Sequence, residues 1–458
     1  MIRTPLMEHQ KKIVEFCKTK KYFGIFAEYG TGKTLCALSY INYHKLSKVL
    51  IVSTKTAIQS TWVDEIKLHT DFMYVSLVGT KINKIKNLHM GLRKAQLSSG
   101  YYHAAQKNIV LFLLNFDGVE NIFNELIQVN FDFVVVDEST KIKSPHTKRT
   151  KVLWKLAEYI DKRCIMTGFP ITENLADLYS QIKFLDMGKM LGTSYYGFIH
   201  KYFTKIAFKP LPRKKSVMEV VKNIKTFCIR ITNTALKLPP KIYKTEHVEL
   251  TDIQKRLLDQ LKDYFQIEYR KVSFETEYIF ALINKSLQIC AGFIKDDKGN
   301  VEAVKTNKDE MLADLLEEID VYNKKVIIWC TYLHTTKKLA LLLKSFNPLI
   351  LTGATANVNT LVNEFQHSKR RNILIAIQKK GAASITLTNC NYAIYYSNSW
   401  SFDDRYNSEA RIYRKGSEKH KHVTYIDLVA RDTIEERVLK CLKTKKDLVN
   451  ELKEYFLE

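Results

Sequence analysis

Residues 23–34 read FGIFAEYGTGKT, and this run limits the possible folds more than any other. Five mostly apolar residues are too few for a helix and suit a buried strand. They lead into a loop with Gly30 and Gly32, then into LCALSYINYH, a helix-length segment. A buried strand that feeds a tight loop and a helix is the first half of a βαβ unit, which requires a parallel sheet. Glycines at these positions let the backbone wrap closely, so that successive N–H groups converge on an anion. The helix starting near Lys33 turns its positive end toward the same point. Residues Ala27, Glu28, Tyr29, Gly30, Thr31, Gly32, Lys33 and Thr34 are therefore expected to form a phosphate loop that binds ATP. Lys33 would reach the β and γ phosphates, and the Thr34 hydroxyl would ligate Mg²⁺. Ala27 stands where the pattern usually has its first glycine.

A phosphate loop needs an acidic partner, and FVVVDEST (133–140) supplies one. Its apolar residues carry Asp137 and Glu138 to the carboxyl end of a strand, the edge at which open α/β sheets bind ligands. Asp137 is expected to hold the metal, and Glu138 to orient and deprotonate the attacking water.

The same alternation of short apolar runs and helical segments fills two regions. From about 20 to 190 the candidate strands are 23–27, 48–53, 73–78, 108–114, 133–137 and 163–168. From about 305 to 458 they are 325–330, 348–352, 372–377, 392–397 and 422–428. Nearly continuous apolar strands predict parallel sheets covered on both faces, hence an α/β chain of two lobes. The material between is read as mainly helical and basic. Residues 201–245 hold twelve Lys or Arg and one acid, Glu219. Tyr202, Phe203, Phe208 and Phe227 lie among them, a mixture that suits backbone contact and base stacking on nucleic acid. Across the chain 72 Lys and Arg face 48 Asp and Glu, a net +24, which also points to a polyanionic partner.

The eight cysteines are scattered and form no CxxC pair, so no zinc site is expected. No run of 18 apolar residues predicts a membrane span, and the N-terminal MIRTPLMEHQKK lacks the apolar core of a signal peptide. A cytoplasmic setting is expected. The many Lys, Ile and Asn suit a bacterial cell or a phage-infected one.

Taken in order, these segments resemble a superfamily II helicase-type ATPase of the Swi/Snf branch. PLMEHQ resembles the segment whose glutamine, here Gln10, reads adenine. The segment from Leu50 to His69 resembles the next motif and includes Trp62. LLNFD (113–117) and MTGFPITENLADLYS (166–180) follow, the latter resembling the coupling motif with Thr167 and Gly168. LPPKIYKTEHVELTDIQKRLL (238–258) resembles the passage into the second lobe. There KVIIWCTY, LILTGAT, KKGAASITLT with Gly381, and YNSEARIYRKGS resemble the later motifs. The chain departs from the family pattern at Met7, Ser139, Thr140, Phe169, Ser384, Thr386, Asn407 and Ser417.

The resemblance implies two RecA-like lobes in tandem. Residues 1–186 would form the first and 306–458 the second, with a basic insertion at 187–238 and a linker with a helical insertion at 239–305. It implies that Arg411 and Arg414 complete the site, Arg414 as the arginine finger. It places nucleic-acid contacts at Ser53, Thr54, Lys55, Asn115, Phe116, Thr352, Gly353 and Thr388, to which the basic stretch adds Arg213, Lys214 and Lys215. The expected activity is ATP-driven translocation on duplex or branched DNA, remodelling forks in replication, recombination or repair, with proteins of those processes as further partners. A protein-displacing translocase, an RNA helicase and an ATP-gated clamp without turnover are the alternatives.

Overall fold

The structure is a computed structural model and describes residues 1–59, 61–96, 108–172, 174–206, 209–232, 236–269, 276–296, 298–381 and 385–444. Phe208 and Ser384 lie outside the described residues.

Six apolar runs of the first region become strands: β1 (Tyr22–Ala27), β2 (Lys48–Ser53), β3 (Met73–Leu77), β4 (Val110–Asn115), β5 (Phe133–Asp137) and β6 (Arg163–Thr167). The chain then forms an antiparallel hairpin of β7 (Phe203–Ile206) and β8 (Lys209–Pro212), the helix Lys214–Ile224, and β9 (Cys228–Ile231). Strands β1–β6 and β9 make one sheet in the order β3-β4-β2-β5-β6-β1-β9, every pair parallel.

The alternation of side chains along each strand explains why the runs are almost wholly apolar. Val49, Ile51, Phe133, Val135, Cys164 and Met166 enter one core, and Leu50, Val52, Val134, Val136 and Ile165 the other. With both faces covered, neither set has room for a polar residue.

The stretch expected to be a mainly helical insertion holds the helices Tyr195–Tyr202 and Lys214–Ile224, and also supplies a hairpin and β9, an edge strand of this sheet paired with β1 through Gly24↔Cys228 and Phe26↔Arg230. The aromatics expected to stack on bases are core residues: Tyr202, Phe203 and Phe227 are 1%, 3% and 6% exposed. Burying them beneath a basic surface outweighs any use they had as a stacking platform.

The chain divides between Leu236 and Lys237 into two compact units. In the second, β10 (Lys241–Val248) is followed by the helices Asp252–Tyr269 and Thr276–Cys290, then a small hairpin of β11 (Phe293–Lys295) and β12 (Val301–Ala303). After the helix Lys308–Ile319 come β13 (Val326–Cys330), β14 (Leu349–Leu351), β15 (Ile373–Ile377), β16 (Tyr392–Tyr395) and β17 (Val423–Ala430). The sheet order is β10-β17-β16-β13-β15-β14, again all parallel. The segment expected as linker thus contributes an edge strand. Its sequence KIYKTEHV hid this, because an edge strand with one face partly in solvent keeps its charged residues.

Candidate active site

Strands β2, β5, β6 and β1 are consecutive neighbours in the first sheet, and the expected residues sit at their carboxyl ends. The phosphate loop follows β1. Gly30 and Gly32 have φ of 82° and 77°, the left-handed region that glycine enters without steric cost. A Cβ on Gly32 would stand 2.2 Å from Gln10 Nε2. Gln10 donates to the Thr31 carbonyl at 3.1 Å, and its own Oε1 accepts from the Met7 N–H. His9 Nε2 meets the same Thr31 carbonyl at 2.9 Å, so two buried side chains brace the loop from the preceding helix. Lys33 opens the helix Lys33–Tyr43, and its ammonium donates to the Ala27 carbonyl at 2.7 Å beneath the Tyr29 ring. Thr31 is buried and bonds back to the Glu28 carbonyl at 2.6 Å.

Asp137 ends β5. Its Oδ2 accepts from Trp62 Nε1 and from Ser53 Oγ, both at 3.0 Å, and its Oδ1 from the Glu138 N–H at 3.0 Å. The carboxylate is therefore fixed in orientation by three donors from its own unit. Glu138 follows in the left-handed region, φ 52° and ψ 53°. A non-glycine residue there costs on the order of 1 kcal/mol, strain of a kind that gathers at functional sites. The Tyr29 hydroxyl lies 3.5 Å from Glu138 Oε1. Hydroxyl and carboxylate oxygens, as at Thr34 and Asp137, are the hard donors that Mg²⁺ prefers, so this pair fits the ion.

The coupling segment ends β6. Thr167 is buried, and its hydroxyl exchanges 3.3 Å bonds with the Phe169 backbone. A Cβ on Gly168 would meet the Tyr29 ring at 3.2 Å. Ser139, in a family position usually filled otherwise, donates to Gln181 Oε1 at 2.6 Å, and Gln181 Nε2 bonds the Pro170 carbonyl. A hydroxyl thus joins the acidic pair to the helix after the coupling segment.

Three expectations need correction. Ser53 is fully buried against Asp137, so it orients the carboxylate and does not touch nucleic acid. Phe116 is a core residue, with Arg149 over its ring. Thr388 is buried beside Gly416, and its carbonyl is taken by His420. Within the loop, the Glu28 side chain is buried in an ion pair with Arg230 at 3.2 Å. Thr54, Asn115 and Thr352 are half-buried, and Lys55, Gly353, Arg213 and Lys215 are exposed. Lys214 opens its helix, but its side chain lies outside the described residues.

In the second unit Arg411 and Arg414 converge on one segment. Arg411 is buried and donates to the Asn407 and Ile385 carbonyls at 2.9 and 3.2 Å. Arg414 is half-buried and donates to Ala410 O, Ile385 O and Thr386 Oγ1 at 3.1, 3.4 and 2.7 Å. Gly381 ends a short helix, Gln378–Gly381, that precedes this segment. The sequence did not single out His9 or Arg230, and named Trp62 only as part of a motif. Trp62 alone carried a signal, a large apolar residue four positions before Ile66 on the same helix, where both are buried.

The family model for the SNF2-related domain matches residues 9–292, more than half the chain, and that for the helicase conserved C-terminal domain matches 307–416. The chain belongs to the SNF2-related family. Among relatives, the SNF2-related chain is 25% identical over 441 residues to "Putative ATP-dependent helicase/translocase YwqA" of Bacillus subtilis, covering 92% of this chain and 45% of that one. It is 26% identical to "Uncharacterized ATP-dependent helicase MG018" of Mycoplasma genitalium, covering 97% and 42%. It is 24% identical to protein p41 of Acyrthosiphon pisum secondary endosymbiont phage 1, covering 96% and 95%. It thus spans less than half the length of the first two relatives. A solved structure, the Sulfolobus solfataricus SWI2/SNF2 ATPase core in complex with dsDNA, is 20% identical with TM-score 0.45, covering 98% of this chain and 93% of that one. Among the described residues, no helix of this SNF2-related chain is long and apolar enough to cross a membrane.

Proposed function

We propose that this chain is a DNA-stimulated ATP hydrolase that translocates along DNA and remodels forked or branched DNA. The observation that carries the hydrolytic part is the Asp137 carboxylate, fixed by Trp62, Ser53 and the Glu138 N–H beside the phosphate loop. An acid held so firmly at the strand end is suited to a charge-dense ligand.

In this reading Gly30, Gly32 and Lys33 bind the phosphates of ATP. Thr34 and Asp137 would hold a magnesium ion, which neutralises phosphate charge when bound. Glu138 orients the attacking water and accepts its proton. Arg414 supplies positive charge to the γ-phosphate in the transition state, with Arg411 bracing the segment at Ile385. Thr167, Gly168 and Gly381 relay the nucleotide state. Exposed Lys55, Arg213 and Lys215 contact the DNA backbone without reading sequence. The net +24 and the helicase names of the relatives favour a nucleic-acid partner.

Phosphate release is measured with a four-way junction, a fork, linear duplex and RNA. Strongest stimulation by fork or junction supports the reading. Strongest stimulation by RNA replaces DNA as the substrate, and equal stimulation by linear duplex removes the preference for branches. If Lys33→Ala leaves stimulated release unchanged, the hydrolytic reading falls.

A further inference from the structure

Arg230 was part of the basic stretch, but its side chain is only 2% exposed. It projects from β9, opposite Phe26 in the register with β1. Its guanidinium reaches three places at once. Nη1 donates to the Gly168 carbonyl at 2.6 Å and lies 3.5 Å from the Phe26 carbonyl; Nη2 meets Glu28 Oε1 at 3.2 Å. The Phe169 ring packs against its face at 4.7 Å. The backbone adds a fourth link, Glu28 N–H to the Ile231 carbonyl at 3.0 Å.

These contacts join the last strand residue before the phosphate loop, the first turn of that loop, and the coupling segment 167–169. Removing two charges from water is costly, and an apolar residue would fill an edge-strand site as well. What Arg offers here is its rigid planar fork, which can hold two carbonyls and a carboxylate in one fixed relation. Lysine, a point charge on a flexible stem, cannot. The position of β9 adds meaning. It is the last strand before the chain crosses, at Leu236 and Lys237, into the second unit.

We propose that Arg230, held by Glu28, is a positioning residue that locks the phosphate loop to the coupling segment and carries their state into the chain segment leading to the second unit. It touches neither nucleotide nor water; it sets Gly168 and Glu28, which border the groups that do. The inference rests on the hydrolytic reading above.

The test uses the full chain with saturating duplex DNA. Glu28→Gln keeps the shape and removes the charge; Arg230→Lys keeps the charge and removes the fork. Both are expected to lower the DNA-stimulated kcat about tenfold while KM for ATP stays within about twofold, measured below each variant's melting temperature; Glu28→Gln, which leaves the Arg230 guanidinium buried without its carboxylate, is also expected to melt at a lower temperature. That split marks a step after binding, which a merely structural pair does not produce. Any other pattern in both variants, whether kcat unchanged or kcat and KM moving together, overturns the proposal. The wild-type protein in the same assay separates the two failures, because absent stimulated turnover there would sink the hydrolytic reading instead.

Discussion

In the first unit the ionisable groups at the strand ends meet neighbours from several strands: Asp137 of β5 takes bonds from Ser53 of β2 and from Trp62, while Glu28 after β1 pairs with Arg230 of β9. In the second unit one such set is centred on the helix Phe402–Ile412 and the sheet behind it, apart from the buried Lys308–Glu435 pair. There Arg405 is buried, bonding Glu409 Oε1 at 2.8 Å and both oxygens of Asp427 on β17, and lying over the Tyr395 ring. Glu409 in turn accepts from the Tyr243 hydroxyl of β10 at 2.7 Å. Burial, with Glu409 beside it, pushes the Tyr243 phenol well up. The first unit orders the groups of a site across a sheet edge. The second unit ties one helix to its own sheet through a buried charged network, just before Arg411 and Arg414 in the chain. Charge in one meets at strand ends from several strands; in the other it fastens a helix to the sheet.

That contrast can be broken most sharply by turnover. Arg414→Ala should lower DNA-stimulated phosphate release about a thousandfold, and Lys33→Ala at least about a hundredfold. A loss seen only as a raised KM for ATP after Arg414→Ala would reduce that arginine to a binding group. Next in size is the buried charged network. Asp427→Asn leaves Arg405 buried and half-paired, and should cost about 3–5 kcal/mol in the second unit. Denaturant unfolding followed at Trp329, with nucleotide binding measured in parallel, tests this. Loss of nucleotide binding before the second unit unfolds would contradict that contrast. Trp62→Phe removes one donor from Asp137 and should raise the Mg²⁺ concentration for half-maximal turnover about tenfold. An unchanged Mg²⁺ titration would mean that Ser53 and the Glu138 N–H suffice. The smallest effect concerns the surface. Arg213→Gln with Lys215→Gln should flatten the slope of log affinity against log salt by about 2. No change would assign these residues to solubility.

How legible all this was depended on burial. The strands of both sheets were legible because a parallel strand covered on both faces has almost no polar residue, as in VLIV at 49–52 and VIIW at 326–329. The strand–loop–helix around Gly30 and Gly32, and the placing of Asp137 at the end of β5, were legible because a glycine-rich turn and an apolar run ending in an acid are local patterns. The edge strands β9 and β10 were not, since CIRI is short and KIYKTEHV mixed. Position, moreover, does not reveal partner. Ser53 looked like a backbone-phosphate contact and proved to be a brace for Asp137. Arg230 looked like one more surface charge and is among the most buried in its unit. Tyr202, Phe203 and Phe227 sat among lysines and still went inside, because aromatic area is costly to leave in water.

The placement of β9 also bears on the order in which the protein matures during synthesis. β1 and the phosphate loop leave the ribosome early, but the neighbour that completes their edge, and the arginine that clips Glu28, come some two hundred residues later in the chain. Contacts so distant in sequence close late. A nascent chain halted near residue 190 would carry every residue of the phosphate loop and the acidic pair, yet β1 would stand as an open edge. Nucleotide-binding competence is therefore expected to appear abruptly once residue 231 is free, and fragments that stop short of it should aggregate through the uncovered strand.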